Sequence, residues 1–387
     1  MLRKILSAAF RKRAPEPPPA AAPYTGPRNR RFVAFIADVE QPCFLGKSDR
    51  IEAYQASLRL RVWLPAREIM QFAPVCVVPL QHVERDPELA ELGEAHAIVV
   101  SKFSVHRITS EPARFAALAA WVEKTATNRR VVADFCDDLS AAAIMFGRPE
   151  PAEFQRRLIR SCALTVSTAA LREKLAPQAV HGAAVIEDPY ERETADVPRF
   201  APQHELRLAW FGVFGPPLMP FLQYHFGTIA RRLAPRSMQI AFITNHSHAG
   251  LAREMGENLR RMNEKCELRF VPWSRAAVAV ELARADLVLL PQDAASEWGR
   301  VKSHNRLVEA LRAGRFAIAS PIPSYLELSD YAWIGEPLAD GVEWALAHPI
   351  DVLAKLHAGQ NAVEQRFSPR KIGERWAATL DVFGKKV

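Results

Sequence analysis

Beyond Arg31, short apolar runs alternate with longer segments whose apolar residues return every three or four positions. In the first half the strand-like runs are RFVAFIAD (31–38), VCVVPL (75–80), AIVVSKF (97–103), RVVADF (130–135), ALTVST (163–168) and AAVIED (183–188). Between them lie amphipathic stretches such as EPARFAALAAWVEKTA, which puts Phe115, Leu118, Ala119 and Val122 on one helical stripe. The periodicity lapses over DPYERETADVPRFAPQHEL (188–206), where prolines and mixed charge suit an interdomain connection. It restarts with LRLAWFG (206–212), QIAFITN (239–245), LRFVPW (268–273), ADLVLLP (285–291) and RFAIASP (315–321). Continuous apolar strands separated by helices predict parallel sheets covered on both faces. The expected fold is therefore α/β, with two Rossmann-like doubly wound domains, 31–200 and 201–365, facing each other across a cleft. A final helical segment, 366–387, has a pattern that allows it to pack back on the first domain.

Composition changes this picture mainly at the N-terminal end. The formal charge of the 387 residues is +8, but residues 1–31 hold eight Lys/Arg against the single acid Glu16. The body is thus almost neutral, which argues against a nucleic-acid partner. Residues 14–30 carry six prolines and little to bury, so 1–30 reads as a basic, extended arm. Within residues 1–13, Leu2, Ile5, Leu6 and Phe10 share a helical face flanked by basic residues. Weak adsorption to an anionic inner membrane surface and a simple solubilising tail both account for it. The apolar part is too short for a signal peptide, and no run approaches the roughly 20 residues of a membrane span. Five scattered cysteines (Cys43, Cys76, Cys136, Cys162, Cys266) show no paired spacing, which points to reduced thiols, a cytoplasmic setting and no zinc.

The chemistry concentrates in WGRVKSHNRLVEALRAGRFAIASPIPSYLEL (298–328). A helix is expected to start near Ser303–Asn305 and to stop at Gly314, with Leu307, Val308 and Leu311 facing the core. A helix start presents unsatisfied N–H groups and a partial positive charge, so it suits phosphate. Lys302 and Ser303 would add a charge and a hydroxyl there. Asn305 and Glu309 lie four apart and share a face, so a diphosphate at the helix start would leave ribose hydroxyls near Glu309. A plainer reading pairs Glu309 with Arg306 or Arg312 on a solvated face. Asp137 and Asp138 follow a strand and suit either a helix cap or proton handling; Asp38 suits a turn or an acceptor site. The Arg59/Arg61 pair suits acidic acceptor groups or local ion pairs, and Trp273 a buried anchor or a base contact. The histidines of TNHSHAG lack further ligands at metal-binding spacing.

VKSHNRLVEALRAGRFAIASPIPSYLEL, preceded by ARADLVLLP, resembles the donor-site region of GT-B glycosyltransferases, most of all the large retaining family that uses nucleotide sugars. The similarity runs through LRLAWFGVFG and, more weakly, through ASLRLRVWLPAREI, VVADFCDDLS and LTVSTAALREKL. The resemblance implies that Glu309 binds the donor ribose and that Gly212 and Gly215 let the backbone approach the diphosphate and sugar. It also implies that Pro272 and Trp273 end the strand beside the nucleobase. Three positions depart from the pattern. Val301 stands where a sugar-facing glutamate is common, and no basic residue follows the glycine loop before His225, so Lys302 is expected to supply that charge. Cys136, Asp137 and Asp138 stand where many relatives carry a histidine. The expectation is a cytoplasmic, metal-independent, retaining glycosyltransferase without a cofactor, sometimes peripheral to the membrane through residues 1–13. Its partners would be a nucleotide-sugar donor and a glycan or lipid-linked acceptor, with Lys302 and Asp137 or Asp138 as catalytic groups. The donor would be bound by Gly212, Gly215, Pro272, Trp273, Lys302, Ser303, Asn305 and Glu309. The alternatives are a nucleotide-sugar epimerase and a non-catalytic nucleotide-sugar-binding scaffold of the same fold.

Overall fold

The structure is a computed structural model and describes residues 32–37, 43–44, 56–80, 83, 92, 95–101, 103, 105–202 and 204–382. The basic arm (1–30), with its reading as a membrane contact, and Asp38 lie outside the described residues.

The first half builds a seven-stranded sheet from β1 (Phe32–Ala37), β2 (Cys43–Phe44), β3 (Val75–Pro79), β4 (Ala95–Ser101), β5 (Val131–Phe135), β6 (Ala163–Val166) and β7 (Ala183–Val185). Their order is β2-β3-β1-β4-β5-β6-β7, parallel except for the two-residue β2. The second half builds a six-stranded sheet from β8 (Glu205–Phe211), β9 (Ser237–Thr244), β10 (Cys266–Pro272), β11 (Leu287–Leu290), β12 (Phe316–Ala319) and β13 (Trp333–Ile334). Here the order is β10-β9-β8-β11-β12-β13, and every pairing is parallel. Both sheets are flanked by helices, so the structure has the two doubly wound units that the apolar pattern predicts. Strand order reverses direction between β1 and β4 in one sheet and between β8 and β11 in the other. At such a reversal the loops leaving the strands' carboxyl ends diverge and open a crevice. Residues 186–202, between the two units, form no helix or strand.

Apolar periodicity places the helices well. Pro112–Ala126 is helical, and Phe115, Leu118, Ala119 and Val122 are its buried residues. The short edge strands β2 and β13 are findings of the structure, because two residues are too few to show a period. The Pro369–Leu380 helix lies on the first sheet, with Ile372, Trp376, Ala377 and Leu380 buried among Val33, Phe35 and Ile69. Trp376 meets Phe35 edge-on at 5.9 Å between ring centroids. Gly373 lets this helix lie close against the Leu64–Ile69 helix: a β-carbon there would stand 2.3 Å from Cβ of Glu68.

Beneath this helix runs LRLRVW, whose Arg59–Trp63 segment is a π-helical turn with both arginines 1% exposed. Of the two roles open to them, the structure uses ion pairing, and over long sequence separations. Arg61 binds both carboxylate oxygens of Asp134 (2.5 and 3.1 Å), Asp188 at 3.2 Å and the carbonyl of Ile186. Ser101 and Thr165, on the strands either side of β5, donate to the same carboxylate at 2.7 and 2.9 Å. Burial alone would lower the guanidinium's pKa; Asp134 and Asp188 outweigh it and raise the pKa, so the cation is held. Replacing Asp134 with alanine strands that charge in the interior. The expected loss is about 3–5 kcal/mol of unfolding free energy in urea titration, and a loss under about 1 kcal/mol would contradict this account.

Candidate functional site

The Asn305–Arg312 helix begins after His304 and ends at Gly314, whose φ of 64° is left-handed. Leu307, Val308 and Leu311 are buried in the second unit's core, as their spacing predicts. Its first turn stands over the crevice of the second sheet. Gln292, just beyond β11, accepts a hydrogen bond from Arg306, and Gly212, just beyond β8, lies against the same guanidinium. Gly212 is tied down on both sides, its N–H donating to Ile243 (3.2 Å) and its carbonyl accepting from Thr244 Oγ1 (2.8 Å). Gly215 follows in extended conformation and caps a turn at Pro216–Leu218. Neither glycine has a positive φ, so at Gly212 the glycine matters for space rather than backbone conformation.

Lys302 is not at this loop. Its ammonium lies over the Trp298 ring, with Nζ 3.8 Å from the centroid, and pairs with Asp137 of the first unit at 2.6 Å. The basic group beside the glycine loop is Arg306, which the sequence reading weighed only as a partner for Glu309. The reason is geometric: Lys302 precedes the helix and points toward the facing unit, whereas Arg306 lies within the first turn, over the strand ends. Both members of the Lys302–Asp137 pair are over a quarter exposed, so their attraction contributes only about 0–1 kcal/mol. Asn305 Nδ2 is buried without a hydrogen-bond partner among the described residues, and Ser303 is half-buried beside it.

Asp138 takes the structural one of its two roles. Its Oδ1 accepts from Ser140 N–H at 2.9 Å, capping the Leu139–Phe146 helix, and Oδ2 meets Lys174 at 2.7 Å. Lys174 also reaches Glu297 of the second unit. Val301 is drawn the same way: it is 4% exposed within the first unit's core, and Thr168 Oγ1 donates to its carbonyl at 3.2 Å. The segment 297–302 is thus gripped by the first unit. A side chain at 301 in this arrangement faces protein, whereas the family pattern puts a sugar-facing carboxylate there.

Glu309 stands apart from Lys302, at the connection between the units. It is 9% exposed, and Oε1 accepts the backbone N–H of Glu191 at 2.5 Å. The solvated pairing with Arg306 or Arg312 does not form. Arg312 turns to Glu364 and the Tyr190 ring instead. Burial pushes Glu309 up to about 7; the Glu191 carboxylate adds to this, while the hydrogen bond, Arg192 and Arg275 oppose it. Beside it Glu191 is clamped by Arg59 (2.5 and 2.9 Å), and Arg59 lies over the Trp273 ring at 5.1 Å. Trp273 therefore sits at the end of β10, 37% exposed, as a partner of the first unit's arginine. Pro272 ends β10 and pairs with Thr244. His304 is 1% exposed and pairs with Glu327 at 3.1 Å. Burial would raise Glu327, but hydrogen bonds from His304 and Arg366 more than offset this and hold it at about 2.

No family model matches the sequence, and no curated protein matches it. Solved structures match over most of their length. A glycosyltransferase from Rickettsia africae aligns with a TM-score of 0.61 at 8% identity, covering 93% of this chain and all of that one. A trehalose-6-phosphate protein from E. coli bound with UDP-2-fluoro glucose aligns at 0.61 and 9%, covering 90% and 98%. WaaG, a glycosyltransferase involved in lipopolysaccharide biosynthesis, aligns at 0.54 and 14%, covering 90% and 99%. At such identities the likeness is one of fold. The chain has the two-sheet GT-B architecture.

The raised pKa of Glu309 has a measurable consequence. Between its unfolded value of 4.5 and about 7, the folded chain holds a proton that the unfolded chain has released. Stability from this group is therefore full below the lower value and is lost as pH rises through the upper one. Against Glu309→Gln, which stays neutral, the wild type is expected to lose up to about 3 kcal/mol between about pH 5 and about pH 8. Parallel stability profiles in urea would show instead that Glu309 is ionised throughout.

Proposed function

We propose that the protein is a glycosyltransferase that takes a sugar from a nucleotide-sugar donor bound by the second unit and passes it to an acceptor held by the first. The observation that carries this reading is the first turn of the Asn305–Arg312 helix standing over the β8–β11 crevice, with the Gly212 loop opposite. Helix-start N–H groups suit the diphosphate, and Glu309, one turn along, suits ribose. Its second carboxyl oxygen accepts no hydrogen bond among the described residues, which leaves it for a ribose hydroxyl. The Pro272–Trp273 strand end lies toward the base.

In this mechanism the anionic diphosphate draws Lys302 from Asp137, which costs little because the pair is exposed. The ammonium and the helix-start N–H groups then stabilise charge developing on the leaving diphosphate, without a metal. Asp137, released, accepts the hydrogen bond of the incoming acceptor hydroxyl. Closure of the two units excludes water. Transfer proceeds with retention of anomeric configuration, and the acceptor is a glycan or a lipid-linked glycan. Division of the chain into an arm (1–30), an acceptor unit (31–200), a donor unit (201–365) and a returning segment (366–387) belongs to this proposal. So do a cytoplasmic location and contact with an anionic membrane surface through residues 1–13. Among the described residues, no helix is long and apolar enough to cross a membrane.

One observation favours a second reading. Val301 buried in the first unit removes a sugar contact, which would suit a protein that binds a nucleotide sugar without turning it over. Product formation with any acceptor eliminates that reading.

Calorimetric titration with uridine, adenosine, guanosine and cytidine diphosphates and their sugar conjugates tests the proposal. Wild type is expected to bind one base series, with Lys302→Ala and Glu309→Ala each weakening it by about 1–3 kcal/mol. Failure to bind every nucleotide would sink it.

A further inference from the structure

Within the reading above, we infer that Arg306 is the diphosphate anchor of the donor site and selects nucleoside-diphosphate sugars over nucleoside-monophosphate sugars. Three observations on the same side chain support this. The first is position: Arg306 spans the crevice where strand order reverses, touching the loop after β8 at Gly212 and the loop after β11 at Gln292. Lys302, Arg59 and Arg275 lie elsewhere, on Asp137, Glu191 and Glu191 respectively.

The second is charge. Lys302 is neutralised by Asp137, Lys174 by Asp138 and Glu297, and Arg312 by Glu364. Arg306 meets no carboxylate among the described residues; its one hydrogen bond is from Nη2 to the uncharged Oε1 of Gln292. A guanidinium presents five N–H donors in a planar fork, and a single amide partner leaves most of them free. An uncompensated fork of this kind suits a doubly charged anion that it can grip bidentately.

The third is space. A β-carbon at Gly212 would stand 3.1 Å from Arg306 Nη1, tighter than ordinary packing, so the glycine leaves room on which the guanidinium rests. Gln292, itself held by a 3.0 Å bond from its N–H to Ser320 Oγ, keeps the fork turned toward that loop. Arg306 thereby supplies, from the helix, the positive charge that the stretch after the glycine loop lacks. The second phosphate of a nucleoside diphosphate gives this cation its extra purchase, and a monophosphate offers it only one group to hold.

The test compares each of the four nucleoside diphosphates with its own monophosphate by calorimetry, on wild type, Arg306→Met and Arg306→Lys, with thermal unfolding as a folding control. Arg306→Met is expected to weaken the diphosphate by about tenfold or more, the worth of one charge-assisted hydrogen bond, and the monophosphate far less. Arg306→Lys should recover part of the loss. Equal weakening of both ligands would mark Arg306 as a scaffold residue and overturn the inference, as would unchanged diphosphate binding. Should the methionine variant not fold, Arg306→Gln carries the same comparison. Wild type that binds no diphosphate removes the donor site itself, and this inference with it. Wild type that binds while Arg306→Met binds equally removes only the inference.

Discussion

The arrangement of the cleft rests on the burial of two arginines, Arg59 and Arg61, at the seam between the units. A guanidinium with 1% exposure persists only where its donors are met by carboxylates and carbonyls, so each arginine dictates where those partners must be. Arg61 fixes Asp134 on β5 and draws in Asp188 at the start of the connection. Arg59 fixes Glu191 three residues later, and the same residue's N–H holds Glu309 on the donor-side helix. Arg275 adds a bond to the Glu191 carbonyl from the second unit. A chain of charge-assisted contacts therefore runs from the first sheet, through a segment with no secondary structure, to the helix that carries the proposed site. Irregular backbone is positioned here by charge-assisted contacts together with single backbone bonds, from Tyr190 to Phe367, Asp196 to Arg312 and Arg199 to Gly314.

Much of the fold was legible because burial writes itself as period. Strands covered on both faces read as unbroken apolar runs, and the Asn305–Arg312 helix announced its start, its core face and its glycine stop. The site was legible in part. The i, i+4 relation of Asn305 and Glu309 follows from helix geometry alone, but the environment of Glu309 does not. Its hydrogen-bond donor is Glu191, 118 positions away, and no local pattern carries that information. The same limit applies to Lys302 and Arg306, four apart on the chain and pointing to different units. Sequence gave both a positive charge and could not say that Asp137 would claim one and leave the other. Val301 shows the converse: the resemblance marked it as a departure, and only packing showed that the position had become part of the first unit's core.

The two units meet through contacts of graded strength. Arg59 holds Glu191 of the connection in a buried, two-bond pair, while Lys302 with Asp137 and Lys174 with Glu297, which join the units directly, are partly exposed. Motion between the units would part the partly exposed contacts more readily than the buried pair that ties the first unit to the connection. That gradient is what a hinge requires, with a fixed edge and a yielding one.

The helix over the first sheet carries a consequence for how the chain reaches this state. Phe35 lies near the start of the folded body and its aromatic partner Trp376 near the far end, with the whole second unit between them. During synthesis the first sheet emerges with Val33 and Phe35 covered only in part, by Leu58, Val62, Trp63, Ala66 and Ile69 of the nearby 58–69 segment, and the rest of that core stays open until the helix of Trp376 is made. The second unit is free to condense while that side waits, apart from the contacts that its 297–302 segment makes with the first unit. Completion of the first unit's core thus waits for the closing helix, and until then the nascent chain carries apolar surface that is only partly covered. A cell making this protein quickly would rely on holding that surface apart from its neighbours until the closing helix arrives.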